Sequence, residues 1–124
     1  YGFAQSADVR ASEVTQRGQQ MHFLLHLPGE APMPMALNLP GRHNVQNALA
    51  AAAIGWQLGV PAEAIARALS AFQGVGRRFN LKGELDFGRG KAPLVDDYGH
   101  HPRELAAVFA AARGGWPERR LVVA

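Results

Sequence analysis

The sequence predicts a mixed α/β chain built in two parts, and three observations carry that prediction. Apolar residues alternate with a period of two through residues 7–40. The period lengthens to that of a helix between Asn44 and Phe72. After the pair Arg77-Arg78 the chain returns to strands and one further helix.

In the first part, Ala7–Glu13 and Gln19–Leu27 read as strands around a turn at Arg17-Gly18, with Met21, Phe23 and Leu25 alternating with His22, Leu24 and His26. Pro28–Pro34 is a loop, and Met35–Leu39 is a third short strand closed by Pro40-Gly41. His22 and His26 lack a partner at ligand spacing and read as exposed strand histidines. Val45, Ala48, Leu49, Ala52, Ala53 and Trp56 fall on one face of a helix that Gly59 stops. A second helix takes Pro61 as its first residue and Glu63 in its first turn, with Ile65, Leu69 and Phe72 on one face; Gly74 and Gly76 end it.

In the second part, Phe79–Phe87 and Ala92–Val95 flank a turn at Gly88-Arg89-Gly90, and a third helix runs from Pro102 to about Arg113. Leu121-Val122-Val123-Ala124 reads as a buried strand just beginning. Strand, helix and strand over Ala92–Ala124 predict a β-α-β unit with parallel pairing, and Gly74–Arg78 is the hinge between the two parts. With no initiator Met and a strand opening at its end, the sequence is expected to be a fragment of a longer chain.

Composition narrows the function classes. At 124 residues and 48% hydrophobic, the chain has enough apolar surface for a packed core and too little charge for a disordered one. The longest apolar run, Ala48–Trp56, is well short of the ~18–20 residues of a spanning helix, so no membrane partner is expected. Tyr1–Arg10 lacks the basic start and apolar centre of a signal peptide, which makes the cytoplasm the expected compartment. The absence of cysteine excludes disulfides and thiolate metal sites. The net charge of +3 is spread as −1, +3 and +1 over residues 1–40, 41–80 and 81–124, without the concentrated basic run of a nucleic-acid binder. Eleven of the 13 cations are Arg, and a small phosphate ligand held by Arg forks suits that pattern better than nucleic acid does.

Three stretches could carry chemistry. In Gly41-Arg42-His43-Asn44-Val45-Gln46-Asn47, Asn44 and Asn47 are three apart and share a face at a helix start. An amide offers a donor and an acceptor together, which matches the N6/N7 edge of adenine. A plain reading competes: Asn44 or His43 caps the helix. In Gly74-Val75-Gly76-Arg77-Arg78-Phe79, two Arg after flexible glycines suit a polyphosphate clamp, against a solvated charged turn. Asp96-Asp97-Tyr98-Gly99-His100-His101-Pro102 joins a strand end to a Pro-led helix, where open α/β sheets bind ligands. Asp and His suit a metal, but neighbours in sequence point apart and cannot all meet one ion; a capping turn is the alternative. No G-x-x-x-x-G-K-[ST], G-x-S-x-G or H-E-x-x-H occurs, so the chain alone is expected to be catalytically inactive.

In this order, the three stretches resemble the Mur ligases, the ATP-dependent amino-acid ligases of peptidoglycan synthesis. Gly41–Ala48 is similar to the family's G-x-H-N-x-x-N-A segment, Phe72–Phe79 to its domain-junction motif, and Asp96–Pro102 to the opening signature of its C-terminal domain. Tyr1-Gly2-Phe3 and Ala7-Asp8-Val9-Arg10 fit the strand region that precedes them. The resemblance implies that residues 1–77 are the back half of a central ATP-binding domain and residues 78–124 the start of a Rossmann-like C-terminal domain. It implies ATP and Mg²⁺ as cofactors, with the magnesium ligands outside this chain. Within the family, the wording around Gly76–Phe79 and Asp97–Gly99 favours the branch that adds L-alanine to UDP-N-acetylmuramate through an acyl phosphate. By the same resemblance, Asn44 and Asn47 sit at the adenine, Arg78 reaches the phosphates as a catalytic residue with Arg77 beside it, and Asp97 accepts from the ribose hydroxyls. Tyr98 and the catalytic His100 lie near the closed cleft. Arg103 stands where the family has Thr and is expected to change little.

The alternatives are the tripeptide-recycling branch of the same family and a non-catalytic nucleotide-binding module. Two half-domains with unpaired strand edges are also expected to favour association between copies of the chain.

Overall fold

A computed structural model describes residues 1–124. The elements run β1 Arg10–Arg17, β2 Gln20–His26, β3 Met33–Leu37, α1 Arg42–Gln57, α2 Ala62–Ala71, β4 Asn80–Asp86, β5 Lys91–Asp96 and α3 Pro102–Gly115. The first three strands form an antiparallel sheet in the order β1-β2-β3, and β4 and β5 form a separate antiparallel pair.

Alternation in β2 does what the sequence predicts: Met21, Phe23 and Leu25 are buried on one face of the central strand. That face meets Leu37 of β3 and the α1 stripe of Val45, Ala48, Leu49 and Ala52 in one core, with Ala62 and Ile65 of α2. Leu25, Leu37, Leu49 and Val45 are fully enclosed, each worth about 1.5–3 kcal/mol of burial.

Element boundaries shift for local reasons. The first strand starts at Arg10 rather than Ala7, because Ala7 N–H donates into a turn at the Ala4 carbonyl. Gly2 nevertheless pairs parallel beside Arg10, a one-residue bridge at the start of β1. The loop after β2 ends before Pro34, which lies inside β3; β3 is an edge strand, where a missing N–H costs no ladder bond. His26 is half-buried rather than exposed, with Nε2 2.8 Å from Ser12 Oγ, and His22 is half-buried too. Pro61 occupies the N-cap of α2 and Phe72 falls past its end, 44% exposed.

The larger departure is in the second part. The predicted parallel β-α-β unit is incomplete: β5 and α3 form where expected and β5 pairs antiparallel with β4 across the Gly88-Arg89-Gly90 turn, but Leu121–Ala124 forms no strand. An apolar tetrapeptide becomes a strand only where a neighbour completes its ladder, and here Val122 and Val123 are 73% and 61% exposed. The hairpin is uncovered in the same way, with Leu85, Phe87 and Leu94 on the surface.

The two parts meet through α3, which lies against β1 and the start of α1. Ala111, only 1% exposed, touches the Gly41 turn: a Cβ added at Gly41 would lie 2.9 Å from that of Ala111.

Candidate functional site

The three polar stretches converge where the start of α1, the segment between α2 and β4, and the loop between β5 and α3 come together. Gly41 opens α1 with φ of 94°, a left-handed value that favours glycine, and no side chain caps the helix. Neither His43 nor Asn44 is therefore the cap. Asn44 is half-buried and its Nδ2 donates to the Pro40 carbonyl at 2.8 Å, which fixes the amide on the helix face it shares with the exposed Asn47.

Arg78 sits in an unusual backbone. Arg77 and Phe79, on either side of it, both have positive φ, 61° and 46°. Such conformations cost on the order of 1 kcal/mol each for a residue with a side chain, so something must hold them. Tyr98 N–H donates to the Arg77 carbonyl at 2.9 Å, and Phe79 N–H donates to Asp97 Oδ2 at 2.8 Å. The Phe79 ring is buried and stacks on Trp116, with centroids 6.3 Å apart. The Arg77 guanidinium lies over the Tyr98 ring, 4.7 Å from its centre.

Asp97 is the hub of the loop. Its Oδ1 accepts from Gly99 N–H at 2.7 Å while Oδ2 holds Phe79, leaving each oxygen a lone pair for a further donor. Asp96, its neighbour, turns away to Lys82 on the hairpin at 3.6 Å, as adjacent strand residues must. Exposed Tyr98 and His100 meet edge to face at 5.5 Å, and His100 Nδ1 lies 3.3 Å from the Tyr98 carbonyl.

The loop closes with a capping box. His101 Nδ1 accepts from Arg103 N–H, and Glu104 Oε2 accepts from the backbone of His101 and of His100. Because Arg103 contributes a backbone N–H to the cap, any residue but proline at that position could serve. Glu104 is the residue that the sequence reading missed. Its Oε1 lies 3.7 Å from Arg78 Nη1, so it faces Arg78 as well as the cap. The donated N–H bonds from His100 and then His101 hold its carboxyl below the ordinary range. The signal was present: a Glu two positions after a proline that opens a helix occupies the third helical position of a capping box.

His43 joins the first stretch to the other two. Burial pushes its pKa below 6.5; the Asp97 charge opposes this and the Arg78 charge adds to it. Between the lowered value and 6.5 the unfolded chain binds a proton that the folded chain refuses. The contribution of His43 to stability is therefore complete above 6.5 and declines as the pH falls through that window. The stability gap between wild type and His43→Asn is expected to shrink from about pH 7 to about pH 5. A gap that stays constant in denaturant melts across that range would overturn this account.

No hydrogen bond links Asn44 or Asn47 directly to Arg77, Arg78 or Asp97, and no three His, Asp or Glu side chains cluster. The arrangement presents amides at a helix start, two guanidinium groups and a carboxylate with free lone pairs. Those are the groups that a base, an anionic chain and a hydroxyl-bearing ring require.

The Mur ligase middle domain family model matches residues 1–55. A UDP-N-acetylmuramate–L-alanine ligase of Xylella fastidiosa (strain M12) is 63% identical over 125 residues, spanning 100% of this chain and 26% of that protein. In three dimensions the chain is similar to the crystal structure of UDP-N-acetylmuramate-alanine ligase MurC from Thermotoga maritima, with a TM-score of 0.77 and 26% identity over 94% of this chain and 27% of that one. It also resembles a murein peptide ligase of Psychrobacter arcticus 273-4, with a TM-score of 0.60 and 30% identity over 96% of this chain and 24% of that one. Over its whole length this chain is similar to members of the Mur ligase family, and residues 1–55 match that family's middle domain. Within it, the likeness is to the UDP-N-acetylmuramate–L-alanine ligases, of whose length the chain spans about a quarter.

Proposed function

We propose that this chain is part of an ATP-dependent ligase that joins L-alanine to UDP-N-acetylmuramate. The observation that carries the reading is 63% identity, over the entire chain, to ligases named for that reaction. In the reaction the muramate carboxylate attacks the γ-phosphorus of ATP, ADP leaves, and the acyl phosphate is then attacked by the L-alanine amine with release of phosphate. Residues 1–77 form the back half of the ATP-binding domain and residues 78–124 open the C-terminal domain. The core supports that division: its last member is Ile65, and the next buried apolar side chain, Phe79, stacks on Trp116 instead.

In this reading Asn44 and Asn47 read the adenine edge, and Arg78, with Arg77 beside it, neutralises the phosphates. Asp97 uses its remaining lone pairs for the ribose hydroxyls, while Tyr98 and His100 line the same side of the cleft. Mg²⁺, bound to ATP, would neutralise phosphate charge there. No helix of the chain is long and apolar enough to cross a membrane.

ADP release by the full-length protein, with UDP-N-acetylmuramate and L-alanine and then with the murein tripeptide in place of L-alanine, tests the proposal. Release with L-alanine supports it. Release only with the tripeptide moves the protein to the recycling branch, and release with neither leaves a nucleotide-binding module. The adenine assignment has its own test: Asn47→Ala is expected to weaken ATP binding about 10-fold, the effect of losing a good amide pair to a base edge. An unchanged ATP titration would remove Asn47 from the adenine.

A further inference from the structure

Gln16 lies at the end of β1, outside all three stretches, yet its side chain touches the backbone of three separate segments. Its Oε1 accepts from Gly41 N–H at 3.2 Å, at the turn that opens α1. Its Nε2 donates to the Ala111 carbonyl in α3 at 2.9 Å, and to the Gly18 carbonyl at 3.0 Å. These partners settle which end of the amide is which, since an N–H needs the oxygen and two carbonyls need the NH₂. The site is also built around the amide. A Cβ at Gly114 would lie 2.8 Å from Gln16 Oε1, and one at Gly115 would lie 3.1 Å from the Gly18 carbonyl. Two glycines at the end of α3 thus leave the room in which Gln16 and its turn are seated.

We propose that Gln16 is a positioning residue that sets the two walls of the nucleotide site in register. Through Gly41 it holds the start of α1, which carries Asn44 and Asn47. Through Ala111 it holds α3, whose first turn closes the loop of Asp97 and faces Arg78. One planar amide with both ends occupied fixes the distance and the angle between those walls. The inference rests on the nucleotide reading given above.

The test is Gln16→Glu in the full-length protein. The carboxylate keeps the bond to Gly41 N–H but sets an acceptor against the Gly18 and Ala111 carbonyls, so it releases α3 while sparing α1. Amide exchange in residues 109–116 is expected to speed up, with residues 21–25 of β2 unchanged. ATP affinity is expected to fall at least about 5-fold, the lower end of energetic coupling between sites. Faster exchange with unaltered ATP affinity makes Gln16 merely structural and overturns the proposal, as does unaltered exchange. If Gln16→Glu fails to fold, Gln16→Met, which removes all three bonds at similar volume, carries the same two measurements. Asn47→Ala serves as the control. Should it also leave ATP binding unchanged, the nucleotide reading is what fails, and exchange in residues 109–116 decides alone whether Gln16 holds the walls together.

Discussion

Arg78→Ala is expected to lower the turnover of the full-length enzyme by more than ~10-fold, because a fixed cation acts where phosphoryl charge develops in the transition state. The substitution isolates that charge well. The backbone around Arg78 is held by its neighbours, through the Arg77 carbonyl bonded to Tyr98 and Phe79 N–H bonded to Asp97, so truncating the side chain leaves the segment in place. The side chain is half-exposed and its pair with Glu104 spans 3.7 Å, an arrangement that contributes little to folding. Turnover should therefore fall with no change in melting temperature. Unchanged turnover would refute the role of Arg78 at the phosphates.

Gly41→Ala is expected to destabilise the fold by about 2–4 kcal/mol, for two reasons that add. The position has φ of 94°, which an L side chain rarely adopts, and the new methyl group would lie 2.7 Å from the His43 ring and 2.9 Å from the Ala111 Cβ. The imidazole is a side chain and can turn aside. The Ala111 Cβ is fixed to its helix, so α3 must move as a body, and the contact between the two parts loosens with it. Gly18→Ala makes the comparison. Gly18 is also left-handed, with φ of 58°, but a Cβ there meets nothing within 4 Å, so only the conformational cost of about 1 kcal/mol applies. Denaturant melts of the two variants should separate these terms. Equal losses would mean that the Ala111 contact carries no weight.

The elements of the first part were legible because each periodic stripe is buried by its own near neighbours. Met21, Phe23 and Leu25 alternate toward a core that the Val45, Ala48, Leu49 and Ala52 stripe fills from above. The second part was legible only locally. The hairpin turn at Gly88-Arg89-Gly90 and the proline-led start of α3 lie where their residue types put them. The pairing of strands does not: Ala92–Val95 and Leu121–Ala124 carry the apolar content of parallel neighbours, but a strand partner is chosen by what lies alongside, not by the strand itself.

The candidate site divides in the same manner. The residues proposed to meet a ligand, Asn44, Asn47, Arg77, Arg78, Asp97, Tyr98 and His100, stand in the sequence at motif spacing, and with them the family resemblance. Their supports do not. Glu104 could have been found from its place after Pro102, since a capping box is a local pattern. Gln16 had no such signal, because its partners lie 25 and 95 residues away and are backbone atoms. The sequence by itself determined the chemistry on offer and the local conformations that display it, through side-chain identity and short-range geometry. Only the tertiary structure decided that Asp97 holds Phe79, that the charges of Asp97 and Arg78 act on His43, and that Gln16 bonds both Gly41 and Ala111. Those contacts join segments distant along the chain, and backbone groups are alike at every residue until folding selects which of them meet.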